Sequence, residues 1–522
     1  MRQQETTWNR NQGTNLIFGA EELDFTADRV PNEFKSRIRS DGYFGELNVD
    51  LFNQLFLSGR LRNEGWSTFG PETDSRFWYG SASASWTFTK ALDLDPDHWL
   101  SFGKVRLGYG SAGRAPNAFM NLSSFTAPTL GDGWYTWGLE TLYMGLEGVT
   151  FEFGGANEEI QPERTTEFEA GLELAFLDSR VSLSGVYYSD RTKDAILNVP
   201  LPSSTGFGNI PLNGAEFSNK GWEFTLDMIP VRSENFSWEV GAQWSTNKSR
   251  VEDILGAEFI GIGFGFTSAA TIIPSPEYCT ESNIGADDCA FGMIRGRDFI
   301  RFGRDIEVGG VNIDEAYPDA PVGAIYIGED GFPIQDPTLR IIGDPNPDWL
   351  ASIRNTFRLY DNLRVSFLLD IKNGGDTWNG TKGALTHYGT HASTEPWHGA
   401  GTPHTFEGYG PGAGTEVTLN WDTWGLATGS GFNGPSSQFV ENSGYTKLRD
   451  VSVSYAFDQP WVNRVGFNTL EVTLSGRNLM TWTDYTGIDP ETNLAGQTIG
   501  RGLDYFNHPQ TRSFILTFNF IR

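Results

Sequence analysis

The stretch EFEAGLELAF, at residues 167–176, indicates the fold class of the whole chain. Every second residue of this stretch is apolar, namely Phe168, Ala170, Leu172, Leu174 and Phe176. Three of the positions between them carry glutamates, which are Glu167, Glu169 and Glu173. A helix would distribute these carboxylates around its circumference, whereas a β-strand places them all on one face. The stretch is therefore predicted to be a strand with one apolar face and one charged face.

The same alternation recurs later in the chain, at residues 222–228, 236–244, 470–477 and 513–520. The whole pattern predicts one strand near 15–25 and thirteen more at 47–51, 55–62, 76–88, 102–112, 164–176, 181–190, 219–229, 236–247, 351–360, 363–371, 445–457, 469–478 and 513–521. A soluble sandwich also alternates, so alternation alone does not identify a membrane protein. Strands of about 9–11 residues with aromatic ends, one apolar face and one polar face are typical of transmembrane barrels.

The lengths of the predicted connections also favour a membrane barrel. Long connections at 113–163, 191–218, 248–350, 372–444 and 479–512 alternate with short ones at 177–180, 230–235, 361–362 and 458–468. Outer-membrane barrels have long outer loops and short periplasmic turns, and a sandwich has no reason to sort loop length in this way. The sequence therefore predicts an all-β, antiparallel transmembrane outer-membrane barrel with long extracellular loops and short periplasmic turns.

The composition of the 522-residue chain excludes several other classes of protein. There are 38 Lys and Arg against 66 Asp and Glu, and the resulting net charge of −28 argues against a nucleic-acid partner. Two cysteines are too few for a disulfide scaffold or a cysteine-rich zinc module. The longest uncharged apolar run, residues 259–273, is shorter than the ~20 residues that a transmembrane helix needs.

Six short motifs carry a resemblance to one family of membrane transporters. In chain order they are LGYGSAG (107–113), ERTTEFEAG (163–171), GDPNPDW (343–349), YTKLRDVSVSY (445–455), VTLSGRNLMTWTDYTGIDPE (472–491) and DYFNHPQTRSF (504–514). Together they resemble SusC/RagA-like TonB-dependent outer-membrane receptors. The resemblance implies import of glycans, peptides or similar nutrients across the cell outer membrane. It also implies three partners besides the substrate: outer-membrane lipid, a SusD-like surface lipoprotein and the TonB complex.

The front of the chain departs from that family. Residues 1–41 contain no recognisable signal peptide, TonB box or plug domain, so they are expected to be a truncated front end with one strand. Residues 42–522 are expected to be the C-terminal part of the receptor barrel, giving in all about 14 of the about 22 strands of such a transporter. A chain without a plug is not expected to transport by itself. The alternatives are a passive or structural barrel, such as a porin or adhesin, and a soluble secreted β protein.

Aromatic side chains in the long loops are the predicted substrate contacts, because indole rings stack on sugars and other flat ligand surfaces. The residues are Trp134, Trp137, Trp378, Trp397, Trp421 and Trp424. The alternative is packing within large ordered loops or an interfacial belt. No GxSxG, Walker A or GxGxxG motif occurs in a fitting context, so no enzymatic activity and no cofactor are expected.

Three other features of the predicted loops are candidates for a metal site, a disulfide and a cation site. The four histidines His387, His391, His398 and His404 could bind Zn²⁺ or Cu²⁺, but their spacings of 4, 7 and 6 favour scattered loop residues. Cys279 and Cys289 are expected to form a disulfide at the oxidising cell surface. The segment from Asp305 to Asp348 has ten acids and one base, and the favoured interpretation is a solvated loop rather than a cation site.

Overall fold

The computed structural model describes residues 2–16, 26–94, 98–123, 154–262, 269–282, 284, 288–464, 466–494 and 501–522, with six two-residue strands between 125 and 151. Its main sheet has fourteen strands. They are β1 Arg2–Leu16, β2 Thr26–Leu51, β3 Leu55–Trp66, β4 Arg76–Trp86, β5 Leu100–Arg114, β6 Glu163–Phe176, β7 Val181–Pro200, β8 Asn209–Arg232, β9 Phe236–Asp253, β10 Trp349–Leu359, β11 Leu363–Asn373, β12 Tyr445–Phe457, β13 Thr469–Trp482 and β14 Ser513–Ile521.

Helices are few and short. The α-helices are α1 Phe88–Ala91, α2 Pro276–Glu281, α3 Ile313–Ala316, α4 Gly380–His387 and α5 Pro460–Arg464. Three 3₁₀ turns and one π-turn add Ser203–Thr205, Ala392–Trp397, Ser436–Phe439 and Trp421–Gly425. Among the described residues, no helix is both long enough and apolar enough to cross a membrane.

Each strand of the sheet pairs antiparallel with the next strand in the chain, from β1 to β14. Within the described residues, β1 and β14 are the outermost strands and do not pair with each other. This order is that of an up-and-down barrel wall, so the predicted fold class is confirmed. Of the strand predicted near 15–25, residues 17–25 lie outside the described part of the chain, and residues 15 and 16 end β1. β2 runs through residue 41, so the expected boundary between 41 and 42 falls inside a strand.

The connections alternate in length as predicted, with one correction. The tightest turns are 52–54, 177–180, 233–235 and 360–362, whereas 115–162, 254–348, 374–444 and 483–512 are long. The predicted long loop 191–218 is wrong, because β7 and β8 remain paired up to Pro200 and Asn209. Ala195 and Ala215 explain this extension, since both are buried in an apolar cluster with Val251, Ile254, Ile260 and Ile273.

Three of the four tight turns have consecutive non-glycine residues with positive φ. Two of them have two such residues, which are Phe52 and Asn53, at 61° and 54°, and Tyr360 and Asp361, at 50° and 58°. The turn at 177–180 has three, at 54°, 56° and 60°. Positive φ at both central residues matches the right-handed twist of a two-strand hairpin, and Asn and Asp tolerate it better than most residues. These turns therefore join their strands at one end of the sheet with minimal length.

Short strands give the long connections an internal structure. One four-stranded sheet contains Phe259–Gly261, Ala269–Pro274, Met293–Gly296 and Arg340–Gly343. A three-stranded sheet joins Asp376–Asn379, Val440–Asn442 and Leu503–Asp504. Two-stranded pairs form between Glu307–Val308 and Val311–Asn312, and between Thr402–His404 and Val417–Leu419. Two-residue strands also occur at Phe125–Thr126, Thr129–Leu130, Leu139–Glu140, Leu142–Tyr143, Leu146–Glu147 and Thr150–Phe151.

The distribution of apolar side chains in the strands is inverted relative to a soluble protein. Phe514 is 73% exposed and Leu474 is 54% exposed, although both lie on the apolar face of their strands. Large side chains that are fully buried lie mainly outside the central parts of the strands: Trp378, Phe302, Ile272, Met293, Ile294, Ile313, Ile327 and Leu503. An apolar face that remains exposed along a long antiparallel sheet is what a lipid-facing wall requires.

Candidate functional site

Three long connections, 254–348, 374–444 and 483–512, pack together into one body, called the outer loop layer below. Trp378 of the second connection pairs in parallel with Leu503 of the third. Tyr326 of the first forms a β-bridge with Tyr409 of the second. The guanidinium of Arg297 donates a hydrogen bond of 3.1 Å to the carbonyl of Phe432. The layer lies at the edge of the sheet where these long connections leave the strands.

The tryptophans predicted as substrate contacts divide into buried and partly buried residues. Trp378 is 1% exposed and packs with Phe439 and Leu503, and Trp424 is 6% exposed and packs with Val417. These two rings therefore serve the packing of the outer loop layer. Trp397 and Trp421 are partly buried. Trp134 and Trp137 lie outside the described residues.

The four histidines do not converge. His387 Nδ1 lies 3.3 Å from the Ser430 hydroxyl, and His391 Nδ1 lies 2.7 Å from the Ser393 hydroxyl. Burial and the charge of Lys382 lower the pKa of His391. His398 stacks on Trp421 and His404 contacts Phe406 edge-on. In the part of the chain that the structure describes, no three His, Cys, Asp or Glu side chains are placed to hold a metal ion.

Cys279 and Cys289 form a disulfide, and both residues are fully buried. They belong to an apolar cluster with Tyr278, Met293 and Ile341. Cys279 lies on α2, and Met293 and Ile341 lie on two strands of the four-stranded sheet. The disulfide thus lies in the core of the first long connection.

The acidic segment from Asp305 to Asp348 is not solvated throughout. Asp336 is 2% exposed, and its carboxylate accepts a hydrogen bond of 3.1 Å from Arg340 Nε. Arg304 lies between Asp336 and Asp298, at 3.7 Å and 2.8 Å. Burial alone would raise the pKa of Asp298, but the hydrogen bond and charge of Arg301 and the charge of Arg304 hold it below its usual value. Part of this segment is therefore an internal ion network whose basic partners include two arginines just before it.

A second ion network fixes the last long connection to the sheet. Lys447 of β12 is 2% exposed, and its Nζ lies 2.8 Å from Asp489 Oδ1 and 2.5 Å from Glu491 Oε2. Arg449 Nη2 lies 2.7 Å from Glu491 Oε1, and Arg449 also pairs with Asp370 of β11. Although burial raises the pKa of Glu491, hydrogen bonds from Arg449, Lys447 and Tyr445 lower it to about 2. The end of the 472–491 motif therefore anchors a loop to the sheet through Asp489 and Glu491, and only the structure shows their basic partners.

The polar face of the sheet is a ladder of paired charges and hydroxyls. Arg358 lies 3.6 Å from Glu239, Arg364 lies 3.2 Å from Glu471, and Arg477 lies 3.8 Å from Asp450. Hydroxyl pairs continue the ladder, at 2.7 Å between Ser366 and Ser452 and at 2.8 Å between Ser454 and Thr473. A polar wall of this kind lines the lumen of a transmembrane barrel. The glutamates of 167–176 belong to it too, since Glu169 and Glu173 pair with Arg106.

The polar face presents charged groups and hydroxyls that can pair with or hydrogen-bond a polar solute. Sequence patterns indicated the polar face itself, because every second residue of these strands is polar. They did not indicate which polar residues pair, because partners on neighbouring strands are far apart in the chain.

Comparison with known proteins identifies relatives of this architecture. A family model described as "TonB dependent receptor-like, beta-barrel" matches residues 2–276. The TonB-dependent receptor P3 of Formosa agariphila is 25% identical over 504 residues, covering 94% of this chain and 46% of that protein. The TonB-dependent receptor SusC of Bacteroides thetaiotaomicron is 26% identical over 234 residues, covering 44% of this chain and 22% of that protein. The chain spans about half the length of the curated relatives that it matches end to end.

A solved structure of the RagAB peptide transporter is similar with a TM-score of 0.69, over 99% of this chain and 52% of that chain. The same importer in its "open-open" state is similar with a TM-score of 0.66. The sequence identity is 15% in both comparisons, so this likeness shows the fold alone.

Proposed function

Since the chain belongs to the family of TonB-dependent receptor-like β-barrels, which lie in the bacterial outer membrane, we propose that it forms the C-terminal part of a SusC-like nutrient importer. The observation that carries the proposal is the fourteen-stranded wall with an exposed apolar face, a polar lumen face and a packed layer of long connections at one edge. In this role the lumen face guides the solute, and the outer loop layer meets it first.

We propose that the substrates are peptides or glycans. The structural neighbour described as a peptide transporter supports the peptides, and the resemblance of the sequence motifs to SusC/RagA-like receptors supports both classes. The partly buried Trp397 and Trp421 remain the proposed substrate contacts of the outer loop layer, and Trp134 and Trp137 remain proposed for the loop outside the described residues. No enzymatic step and no cofactor form part of this function.

We propose two protein partners. A SusD-like surface lipoprotein would sit over the outer loop layer, and the TonB complex would supply energy from the periplasmic side. The support is the similarity to the TonB-dependent receptor SusC and to the structure of the RagAB peptide transporter. Outer-membrane lipid would contact the exposed apolar face of the strands.

Transport is proposed to need more than these fourteen strands. In the described sheet β1 and β14 do not pair with each other, and a membrane barrel must satisfy every strand edge inside the bilayer. The 522-residue chain behind a secretory signal is expected to show no TonB-dependent uptake, whereas the complete receptor restores uptake of its nutrient to a deletion strain. Uptake by the complete receptor that persists without TonB would instead favour a passive porin.

A further inference from the structure

A groove runs along the apolar face of β3 and β4, and it is called the apolar groove below. Gly59, Ala82 and Ala84 form its floor, because Gly59 pairs in register with Ala82 and Ala84 lies two residues further along β4. Larger side chains rise on both sides, since Leu47 of β2 pairs with Gly59 and Tyr109 of β5 pairs with Ala82. The groove has a volume of about 500 Å³. This volume lies within the range of sites for small ligands, about 300–1,000 Å³.

The floor of the apolar groove is not covered by the described chain. A Cβ added at Gly59 would meet no described atom within 4 Å. Gly185 of β7 lies on the same face of the sheet, and a Cβ there would lie 2.9 Å from the ring of Phe224. Rings crowd that part of the face, with centroids 5.8 Å apart between Trp222 and Phe224 and 5.7 Å apart between Phe224 and Trp244. Since an unfilled space forfeits van der Waals contacts, the apolar groove is suited to an occupant from outside the described residues.

Two tryptophans place the apolar groove at hydrocarbon depth. Trp78 and Trp86 lie on the same face of β4 as Ala82, and both are exposed. They are eight residues apart, which corresponds to about 26 Å of strand. The apolar band of a transmembrane barrel is about 25 Å tall and is flanked by aromatic girdles. Ala82 lies midway between the two rings, so the occupant must be soluble in hydrocarbon, which excludes a water-soluble nutrient.

The width of the apolar groove favours a single hydrocarbon chain. At the height of Ala84 the floor is one residue wide, because Leu57 and Leu107 are the paired neighbours on its two sides. The backbones of these two leucines are two strand spacings apart, about 9.6 Å, and their exposed side chains stand on either side of the floor. The flat face of a second barrel could not reach the floor between them, whereas one extended acyl chain can. The groove is also continuous with the apolar face of the strands, which is the proposed contact surface for outer-membrane lipid.

A cation lies beyond the end of β4 that is nearest the short turn 52–54. β4 ends at Trp86, and α1 begins two residues later. Lys90 of α1 is exposed, and its Nζ lies 3.4 Å from the carbonyl oxygen of Asn53 in that turn. Anionic lipid headgroups attract lysine side chains at the membrane surface. The charge at this end therefore complements the phosphate of a phospholipid whose acyl chain fills the apolar groove.

We propose that the apolar groove binds one acyl chain of an anionic outer-membrane phospholipid, with the lipid phosphate at Lys90. The surrounding lipid is as apolar as the groove, so the chain gains no hydrophobic free energy by entering it. It is held by van der Waals contacts with the floor and with the side chains on both sides. This inference goes beyond the proposed function, because it requires a membrane-spanning wall and does not depend on the solute or the energy source.

The test uses the complete receptor in vesicles of phosphatidylethanolamine and phosphatidylglycerol. A trace of the phosphatidylglycerol carries a photoreactive diazirine at the middle of one acyl chain, and mass spectrometry locates the labelled residues after illumination. Residues 57–59, 82–84 and 107–109 should be labelled about threefold more than residues 222–228 on the ring-covered part of the same face. This comparison uses the unmodified receptor, so it does not depend on the folding of any variant.

Three variants separate the parts of the inference. Gly59→Leu fills the floor and should reduce labelling of the groove to the level of residues 222–228. Gly45→Leu is the matched control, because a Cβ at Gly45 also meets no described atom within 4 Å and Gly45 does not line the groove. It should leave the labelling unchanged. Lys90→Gln should remove the preference of the groove for photoreactive phosphatidylglycerol over photoreactive phosphatidylethanolamine.

Several results would overturn the inference. Equal labelling of the groove and of residues 222–228 would show that no chain is retained, and so would groove labelling that Gly59→Leu does not reduce. A preference for phosphatidylglycerol that survives Lys90→Gln would refute the position of the phosphate. An unlabelled groove, together with a changed oligomeric state of Gly59→Leu in light scattering, would mean that a second copy occupies it instead of lipid. Nutrient uptake is measured separately, so each of these results would leave the proposed function standing.

Discussion

The strand wall and the outer loop layer bury opposite kinds of surface. In the wall, Leu172, Leu474 and Phe514 are exposed and ion pairs line the other face. In the outer loop layer, Trp378, Phe302 and Ile294 are almost fully buried, as in a soluble domain. Apolar side chains of the same types thus point outward where the surrounding medium is lipid. They point inward where the surrounding medium is water. Apolar side chains of one chain are therefore exposed in the strands and buried in the long connections. The change occurs where the strands leave the bilayer.

The largest difference between the long connections and the short turns is expected in their cleavage by added protease. In intact cells carrying the complete receptor, added protease should cut within 254–348 or 374–444, because the long connections face outward. The turns at 177–180 and 360–362 should be cut only after the outer membrane is opened. Mass spectrometry of the fragments gives the answer, and early cleavage confined to the short turns would reverse the orientation.

The largest energetic effect is expected in the core of the outer loop layer. Trp378→Ala removes a ring that is 1% exposed and should destabilise the layer by about 3–5 kcal/mol. Limited proteolysis of the purified receptor measures this loss. Tyr388→Ala is the control, because Tyr388 is 69% exposed in the same connection. Equal effects of the two substitutions would mean that the layer has no core of the soluble kind.

The stability of the strand wall should be sensitive to a charge introduced on its apolar face rather than to a cavity. Leu474→Arg places a cation on the exposed apolar face of β13 and should cost about 2–4 kcal/mol near the membrane midplane. Ser475→Arg, one residue further on and on the polar face, should cost little. Unfolding in lipid vesicles, followed by heat-modifiable gel mobility, compares the two variants. A wall without a lipid-facing side would show the same cost for both.

The disulfide should make a smaller contribution to stability, limited to the first long connection, 254–348. The two cysteines are 10 residues apart, so the crosslink should contribute about 2–3 kcal/mol by restricting the unfolded segment. A reductant should therefore speed proteolysis within 254–348 but leave the strand wall intact. The Cys279→Ser variant should be cut at the faster rate with or without reductant. A reductant effect that persists in this variant would contradict the assignment.

The smallest effect is expected at the junction between the two regions. Glu491 has a pKa of about 2 in the folded protein, below the about 4.3 of an unfolded chain, so its pairing stabilises loop docking above about pH 4.3. This contribution should disappear as the pH falls from about 4.3 toward about 2. Hydrogen exchange of residues 483–494 measures it, and Glu491→Gln should flatten the dependence whereas Glu416→Gln should not. An unchanged profile in Glu491→Gln would show that Lys447 and Arg449 hold the loop without it.

Most strands from β3 onward, and their two faces, could be predicted from the amino-acid sequence alone. These properties depend on alternation between adjacent residues and on the length of each connection, which are local features of the chain. The prediction of a loop at 191–218 is wrong, because the outer ends of β7 and β8 are paired there. Their pairing beyond residue 190 depends on Ala195 and Ala215 meeting Val251 and Ile254, which no local pattern reveals.

The burial of the loop residues, in contrast, depends on the packing of segments that are distant in the chain. Trp378 and Trp424 became core, and Trp397 and Trp421 remained partly buried, because distant connections fold over some rings and leave others at the surface. Lys447 meets Asp489 across 42 residues of sequence, and Arg364 pairs with Glu471 across 107 residues. Such contacts depend on which segments the sheet and the loop layer bring together, and the spacing of residues along the chain does not reveal this.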